Sequence, residues 1–327
     1  MPPRPTLLAL ALTALLLAAG LWWLWGPGPR LRSPAQVAVP AGAGRRAIAQ
    51  EMAAAGVVRS AVGFELWSLF HPRQTLKPGT YEFSGEQSVP RVFRALVRAQ
   101  TLALVVTVPE GFNRFDIAHE LAGRGIATAA AFLAVSADPG SIRDFDPAAV
   151  SLEGYLFPAT YRLLPGMPAQ AIAALMTARF RQELRLQPAH PADVHRWVTI
   201  ASLVEKETAV GTERPLIAGV FTNRLAQTLP LQCDPTVIYA ALLAGRYTGA
   251  LHRADLAFDS PYNTYLHSGL PPGPIANPGR LALQAAAHPD ATDDLYFVSD
   301  GHGAHRFART LAEQQHNITL YLHTLHP

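Results

Sequence analysis

Val198–Thr208 reads V-T-I-A-S-L-V-E-K-E-T. It is a largely apolar helical segment that ends in two carboxylates, Glu205 and Glu207, around one of the chain's two lysines. Burying even part of a carboxylate is costly, so acids on the flank of an apolar stripe point to a function. Residues two apart on a helix diverge by about 200°, at roughly 100° per residue. Glu205 and Glu207 therefore cannot be the facing carboxylate pair of an ordinary glycosidase. If this helix does chemistry, one glutamate does it alone. Both follow apolar positions at helical spacing, so periodicity does not separate them. The structural alternative is that both pair with Arg214 or Arg224.

Helices are expected around this segment at about 168–185, 192–210 and 213–226, with Gly211 ending the second and Thr212 capping the third. Glu153–Tyr161, E-G-Y-L-F-P-A-T-Y, packs aromatics, a glycine and a proline around one acid. Leu231–Val237, L-Q-C-D-P-T-V, opens a further helix. Ser260–Tyr265 and Ser268–Gly279 are too rich in Pro and Gly for regular structure, and a long ordered loop of that kind is more often functional than idle. Glu153, Asn223, Gln232, Asp234, Tyr262 and Asn263 are each polar within an apolar motif. They are candidate substrate-binding residues, and each could equally be a cap or a buried hydrogen-bond partner. His302-x-x-His305 lies in an expected hairpin turn, with no acid or cysteine to complete a metal site.

The N-terminal half contains a repeat. Val37–Val57 aligns without a gap on Val106–Ile126 at an offset of 69 residues, with about half the positions identical, among them Val39/Val108, Pro40/Pro109, Gly42/Gly111, Ile48/Ile117, Glu51/Glu120 and Gly56/Gly125. Each copy reads as a strand, a Pro-x-Gly turn and a helix closed by glycine. Small βα units of this look are common in modules that grip carbohydrate polymers, an analogy of fold only.

Leu7–Trp25 is a charge-free run of 19 residues ending in Trp22, Trp23 and Trp25, long enough to span a bilayer and followed by Gly26-Pro27-Gly28-Pro29. An uncleaved anchor is expected in preference to a signal peptide, whose apolar core is shorter. Of the 327 residues, 49% are hydrophobic and 16% charged, and the net charge is +3. The charge is not clustered, which argues against nucleic acid. The one cysteine, Cys233, excludes an internal disulfide and a Cys-type zinc site. No Gly-x-Ser-x-Gly, Walker or dinucleotide fingerprint is present.

Taken together, the motifs resemble the endolytic murein transglycosylases, the MltG/YceG-like family. The match runs in order through Leu76–Tyr81, Val106–Gly111, Glu153–Tyr161, Ala201–Thr208, Asn223–Leu225, Leu231–Tyr239, Tyr262–Tyr265, Gly269–Gly279, Ala286–Pro289 and Tyr296–Val298. The resemblance implies an α+β chain with a transmembrane anchor within residues 1–29, duplicated LysM-like modules over 33–147 and a helix-rich catalytic domain over 148–327. It implies an inner-membrane protein, held through residues 7–25 with its catalytic domain in the periplasm. Nascent peptidoglycan strands would be cut between MurNAc and GlcNAc to leave 1,6-anhydro-MurNAc ends, with no cofactor or metal. The family's catalytic glutamate falls on Glu207, with Glu205 among the residues around substrate. Whether a peptidoglycan synthase binds the chain stays open. The sequence departs from the family at Cys233, where Thr or Ser is usual, and at Ala159, where Asp is usual. The first is expected to matter little to the chemistry, and the second weakens a role for a carboxylate pair in the Glu153 loop.

One carboxyl group is enough for such a reaction. It protonates the leaving oxygen, then takes the proton of the sugar's own 6-hydroxyl as that attacks C1. The acid must stay protonated near neutral pH. A helix C-terminus opposes ionisation by about 0.3–1 kcal/mol, which modestly favours Glu207. The competing readings are a non-catalytic glycan-binding scaffold and a hydrolytic muramidase.

Overall fold

The computed structural model describes residues 5–40, 42–99, 102–186 and 193–325, without the side chains at 5–9, 11 and 325. In chain order the elements are α1 (Pro5–Trp25), β1 (Leu31–Val39), α2 (Arg45–Ala54), α3 (Ala61–Leu69), β2 (Gly79–Gly85), α4 (Val89–Val97), β3 (Leu104–Thr107), α5 (Arg114–Gly123), α6 (Ala129–Ser136) and β4 (Thr160–Leu163). There follow α7 (Ala169–Leu186), α8 (Val194–Glu207), α9 (Arg214–Ala226), α10 (Asp234–Leu243), α11 (Arg280–Ala287), β5 (Tyr296–Ser299), β6 (His305–Ala308) and α12 (Leu311–Leu325). The fold is mixed α+β and rich in helix, and among the described residues its strands pair as β1–β2, β3–β4 and β5–β6. Two compact units emerge. One holds residues 1–104 and 162–165, the other residues 105–161 and 166–327.

In the first unit β1 and β2 pair antiparallel, with Val37 opposite Tyr81 and Val39 opposite Gly79. Alternation along β1 sends Val37 and Val39 into a core with Ile48, Met52, Phe64, Tyr81, Val92, Phe93 and Leu96. The Tyr81 hydroxyl donates to the Lys77 carbonyl at 2.7 Å, which satisfies the one polar atom that this buried ring carries inward.

The repeat is visible in the backbone. Helices α2 and α5 begin at Arg45 and Arg114, and Gly42 and Gly111 share left-handed φ values of 81° and 78°. Ile48, Met52 and Val57 are buried in one copy, and Ile117, Leu121 and Ile126 in the other. Each copy continues into a second helix, α3 or α6, and a returning strand, β2 or β4. The copies fall in different units, and the second belongs with the helices that carry the E-K-E-T segment.

Helix α8 is the centre of the second unit. Trp197, Val198, Ile200, Ala201, Leu203 and Val204 are all buried, as expected of a helix apolar on most sides. At about 1.5–3 kcal/mol for each large side chain removed from water, this helix is a main source of the unit's stability. The Trp197 indole N–H donates to the Leu283 carbonyl of α11 at 2.7 Å. The helix ends at Glu207, before the expected stop at Gly211. Thr208 is extended (φ −141°, ψ 137°), and its hydroxyl accepts from the Val210 N–H at 3.0 Å and donates to Glu213 at 3.2 Å. Helix α9 is preceded by Glu213, not capped by Thr212.

Position 7–25 is helical, within α1. Among the described residues, which omit the side chains of its first turn, no helix is long and apolar enough to cross a membrane. Met1–Arg4 lie outside the described residues.

Candidate active site

Glu207, the last residue of α8, stands on the wall of a cavity of about 380 Å³. Phe221 and Arg224 of α9 face it, as do Gln232, Asp234, Tyr265, the strand Tyr296–Ser299 and His305. The segment Gln232–Asp234 is held in an unusual shape. Gln232 sits at a left-handed φ of 54°, a costly conformation for a residue with a Cβ. Its N–H donates to the Thr264 carbonyl at 3.1 Å, and the Cys233 N–H donates to the Thr264 hydroxyl oxygen at 3.0 Å. The Thr236 hydroxyl donates to the Cys233 carbonyl at 2.7 Å. Arg224, buried, gives its Nη2 to Gln232 Oε1 at 2.9 Å and to the Pro230 carbonyl at 2.7 Å. Strain at Gln232 is thus over-determined by Thr264 on one side and Arg224 on the other. The Tyr265 hydroxyl donates to Asp234 Oδ1 at 2.6 Å, and His305 Nδ1 lies 2.7 Å from Glu213 Oε2.

The electrostatics suit a proton donor. Burial pushes the Glu207 carboxyl above its ordinary range, the Asp234 charge adds to that, and a hydrogen bond from Cys233 and the nearby His305 oppose it. Glu207 also ends its helix, where the backbone dipole disfavours a second negative charge. Cys233 therefore bears on this chemistry more than its sequence position suggests. Its thiol is fully buried against Glu207 and is held well above the usual thiol range, first by burial and then by that carboxylate. A thiol is a weak hydrogen-bond donor where a hydroxyl is a strong one. Cys233→Ser is accordingly expected to stabilise the ionised glutamate and move the high-pH limb of the pH–activity profile to lower pH, whereas Cys233→Ala moves it up. Identical profiles for all three proteins would show that the thiol does not tune Glu207.

Glu205 is placed differently. Its Oε1 accepts from Arg214 Nη2 at 3.0 Å and its Oε2 from the Gly279 N–H at 2.9 Å. Burial still raises its carboxyl, because desolvation and the Glu110 charge outweigh those two donors. The Pro-Glu-Gly turn of the second repeat copy closes over this end of α8. Lys206 Nζ donates to the Gly111 carbonyl at 3.3 Å, and Glu110 lies 3.9 Å from Arg214.

Of the residues singled out from sequence, Gln232 and Asp234 share the cavity with Glu207, whereas Glu205, placed as just described, and four others do not line it. The Asn223 amide donates to the Thr292 and Asp294 carbonyls at 2.7 and 3.1 Å. The Asn263 amide clips the Leu256 and Phe258 carbonyls at 3.0 and 2.8 Å. Tyr262 is buried against Tyr239, with ring centroids 5.1 Å apart. Glu153 is buried beneath the start of α5, accepting from the Arg114 N–H at 2.9 Å and from the Asn277 amide at 2.9 Å. Local hydrogen bonds thus hold Asn223, Asn263 and Glu153, and ring packing holds Tyr262.

Burial pushes Glu153 up to about 7. A carboxyl raised above its unfolded value destabilises the fold once ionised, so its penalty is absent below about pH 4.5 and complete above pH 7. The size is on the order of 3 kcal/mol. Glu153→Gln is expected to flatten the fall in stability between pH 5 and pH 8, measured by urea unfolding. An unchanged slope would show that Glu153 is charged throughout.

The YceG-like family model matches residues 37–319. The chain belongs to the YceG-like family. An endolytic murein transglycosylase of Bacillus subtilis (strain 168) is 32% identical over 304 residues, which is 86% of this chain and 83% of that one. An endolytic murein transglycosylase of Streptococcus pneumoniae (strain R6) is 31% identical over 296 residues, 81% of this chain, which spans about half of that relative (54%). The crystal structure of a yceG-like protein from Listeria monocytogenes matches with a TM-score of 0.54 at 32% identity, covering 88% of this chain and 99% of that one.

Tyr265, His305 and Arg224 are among the cavity residues of this YceG-like chain that are not substrate-contact candidates from its sequence. Tyr265 was within reach, since it belongs to the same Tyr-Asn-Thr-Tyr run as Tyr262 and Asn263 but three residues on. From sequence His305 suggests only a metal ligand, and among the described residues no cluster of metal-binding side chains is present. From sequence Arg224 suggests only a partner for a glutamate, whereas carbonyls and Gln232 satisfy it. Asn277, outside the cavity, ties the Pro-rich loop to the rest. Its Oδ1 accepts from the Gly154 and Leu156 N–H groups, each at 2.9 Å. Gly154 leaves no room for a side chain, since a Cβ there would lie 2.5 Å from Pro274.

Proposed function

We propose that this chain is a lytic transglycosylase of peptidoglycan, acting within glycan strands at the MurNAc–GlcNAc bond, with Glu207 as the catalytic group. The observation that carries the reading is the position of Glu207: the family's E-K-E-T helix ends on it, inside the cavity, with its carboxyl held up by burial. Protonated Glu207 gives its proton to the glycosidic oxygen as the bond to C1 breaks. The 6-hydroxyl of the same MurNAc attacks C1, and the Glu207 carboxylate takes its proton. The glutamate is regenerated protonated, no water is consumed, and the new end is 1,6-anhydro-MurNAc. Asp234, held by Tyr265, keeps Glu207 protonated and faces the positive charge that develops on the sugar. Such cleavage would terminate a growing strand.

Residues 148–327 supply the catalytic helices in this proposal, and the duplicated region over 33–147 is LysM-like and grips glycan. The turn of the second copy, packed on Glu205 and Lys206, gives that copy a share in the site as well. Residues 7–25 anchor the chain in the inner membrane, with the enzyme in the periplasm. The charge-free run in the sequence supports this, together with the exposed Leu12, Leu15, Leu16 and Leu17 of α1. A second reading, hydrolysis, has one observation in its favour, the carboxylate of Asp234 in the same cavity, which could activate water. Mass spectrometry of uncrosslinked strands after incubation decides: anhydro ends support transglycosylation, and reducing ends replace it with hydrolysis. Binding without cleavage would leave a scaffold.

A further inference from the structure

Helix α3 presents an apolar stripe that the first unit does not cover. Gly63, Phe64 and Ser68 face the core. Val62, Leu66, Leu69 and Phe70 are 59%, 36%, 69% and 70% exposed, at spacings of four, three and one that place them along one side. Stripes of this kind on a soluble surface usually mark a binding face.

What covers it is indicated by its neighbour, α1. The two helices cross so closely that a Cβ on Gly63 would lie 2.1 Å from the Leu24 carbonyl oxygen. The Trp25 indole N–H donates to the Gly63 carbonyl at 3.0 Å, and its ring meets Trp67 and Phe70 edge-on at 5.7 and 6.2 Å. The end of α1 is thus bolted to α3, with Trp22 and Trp23 left 58% and 53% exposed beside the stripe. Tryptophans at the end of an apolar helix mark the level of lipid headgroups. Arg59 lies over the Trp22 ring at 4.6 Å, and Arg73 follows the stripe on the surface. Cations at this level suit anionic headgroups. Arg45 fastens the far end of α3, its guanidinium donating to the carbonyls of Ser68, His71, Pro72 and Gln74.

We propose that Val62, Leu66, Leu69 and Phe70, with Trp22 and Trp23, seat the first unit on the bilayer surface, so that α3 lies in the interface where α1 enters the lipid. The first copy of the glycan-gripping region would then work against the membrane itself and not at the end of a flexible tether. This rests on the anchoring of residues 7–25 proposed above, and the two can fail separately.

The test uses the full chain in phosphatidylethanolamine–phosphatidylglycerol vesicles, with Cys233→Ser removing the native thiol. An environment-sensitive fluorophore is attached to a single cysteine introduced as Leu69→Cys, Leu16→Cys or Arg143→Cys. The expected result is blue-shifted emission at positions 69 and 16, quenched by shallow and deep nitroxide lipids respectively, and water-like emission at 143. Water-like emission at 69 overturns the docking, and with lipid quenching retained at 16 the anchor survives it. Water-like emission at 16 overturns the anchor, and lipid quenching at 69 would then leave a peripheral contact. A blue shift at 69 without lipid quenching points to a second copy of the chain on the stripe and overturns the proposal.

Discussion

Glu207→Gln is expected to lower the yield of anhydro ends by roughly 10²–10⁴-fold, the range associated with loss of a general acid–base group. The upper end is expected, because in the proposed mechanism one group serves as acid and then as base, and no other residue of α8 lines the cavity. Glutamine matches glutamate in size and can still accept from Cys233, so the fold should survive. Thermal unfolding of the variant should match the wild type, and strand binding should persist. The measurement is mass spectrometry of uncrosslinked glycan strands after incubation with each protein at equal concentration. Equal product from both would remove Glu207 from the mechanism. Loss of product together with loss of folding would show a structural role instead, which is why the unfolding curve belongs to the experiment.

How far the sequence reached depends on whether a feature is periodic. The repeat was legible because it needs only one alignment. The offset of 69 residues between Val37 and Val106 reappears in the starts of α2 and α5 and in the left-handed Gly42 and Gly111. Helix α8 was legible for the same reason, since its apolar positions recur along one segment. Its end was not, because Thr208 leaves the helix through hydroxyl bonds to Val210 and Glu213 that no spacing announces. The divergence of Glu205 and Glu207 followed from helix geometry alone. Which of them faces the cavity did not, because that depends on partners remote in sequence. Glu205 is tied to Gly279, 74 residues on, and the walls opposite Glu207 come from α9, α10 and the β5–β6 hairpin. The Tyr-Asn-Thr-Tyr run shows the limit most plainly. Its polar residues were noticed, but in a loop no period tells which side chains turn outward. Tyr262 and Asn263 turn into the fold, Thr264 clamps Cys233, and Tyr265 alone of the run reaches the cavity.

Glu205→Gln should separate the two glutamates from the opposite direction, by costing stability and not chemistry. Glu205 and Arg214 have side chains only 5% and 7% exposed, at 3.0 Å. Nε and Nη1 of Arg214 are already buried without hydrogen-bond partners. Removing the carboxylate charge leaves that guanidinium uncompensated in the interior, which typically costs about 3–5 kcal/mol. Glu110 can recover only a part, being half-exposed at 3.9 Å. The expected result is a lower urea midpoint for the unit that contains α8, with turnover close to wild type when assayed well below the melting temperature. The double variant Glu205→Gln/Arg214→Met should regain much of the loss, because a buried pair replaced on both sides by neutral groups of similar volume is often nearly neutral. A loss under about 1 kcal/mol would mean that water or Glu110 already screens the pair, a value typical of exposed ion pairs. A collapse of turnover in folded Glu205→Gln would move the catalytic assignment two residues back along α8, to a carboxylate that in this fold faces an arginine and a backbone N–H instead of the cavity.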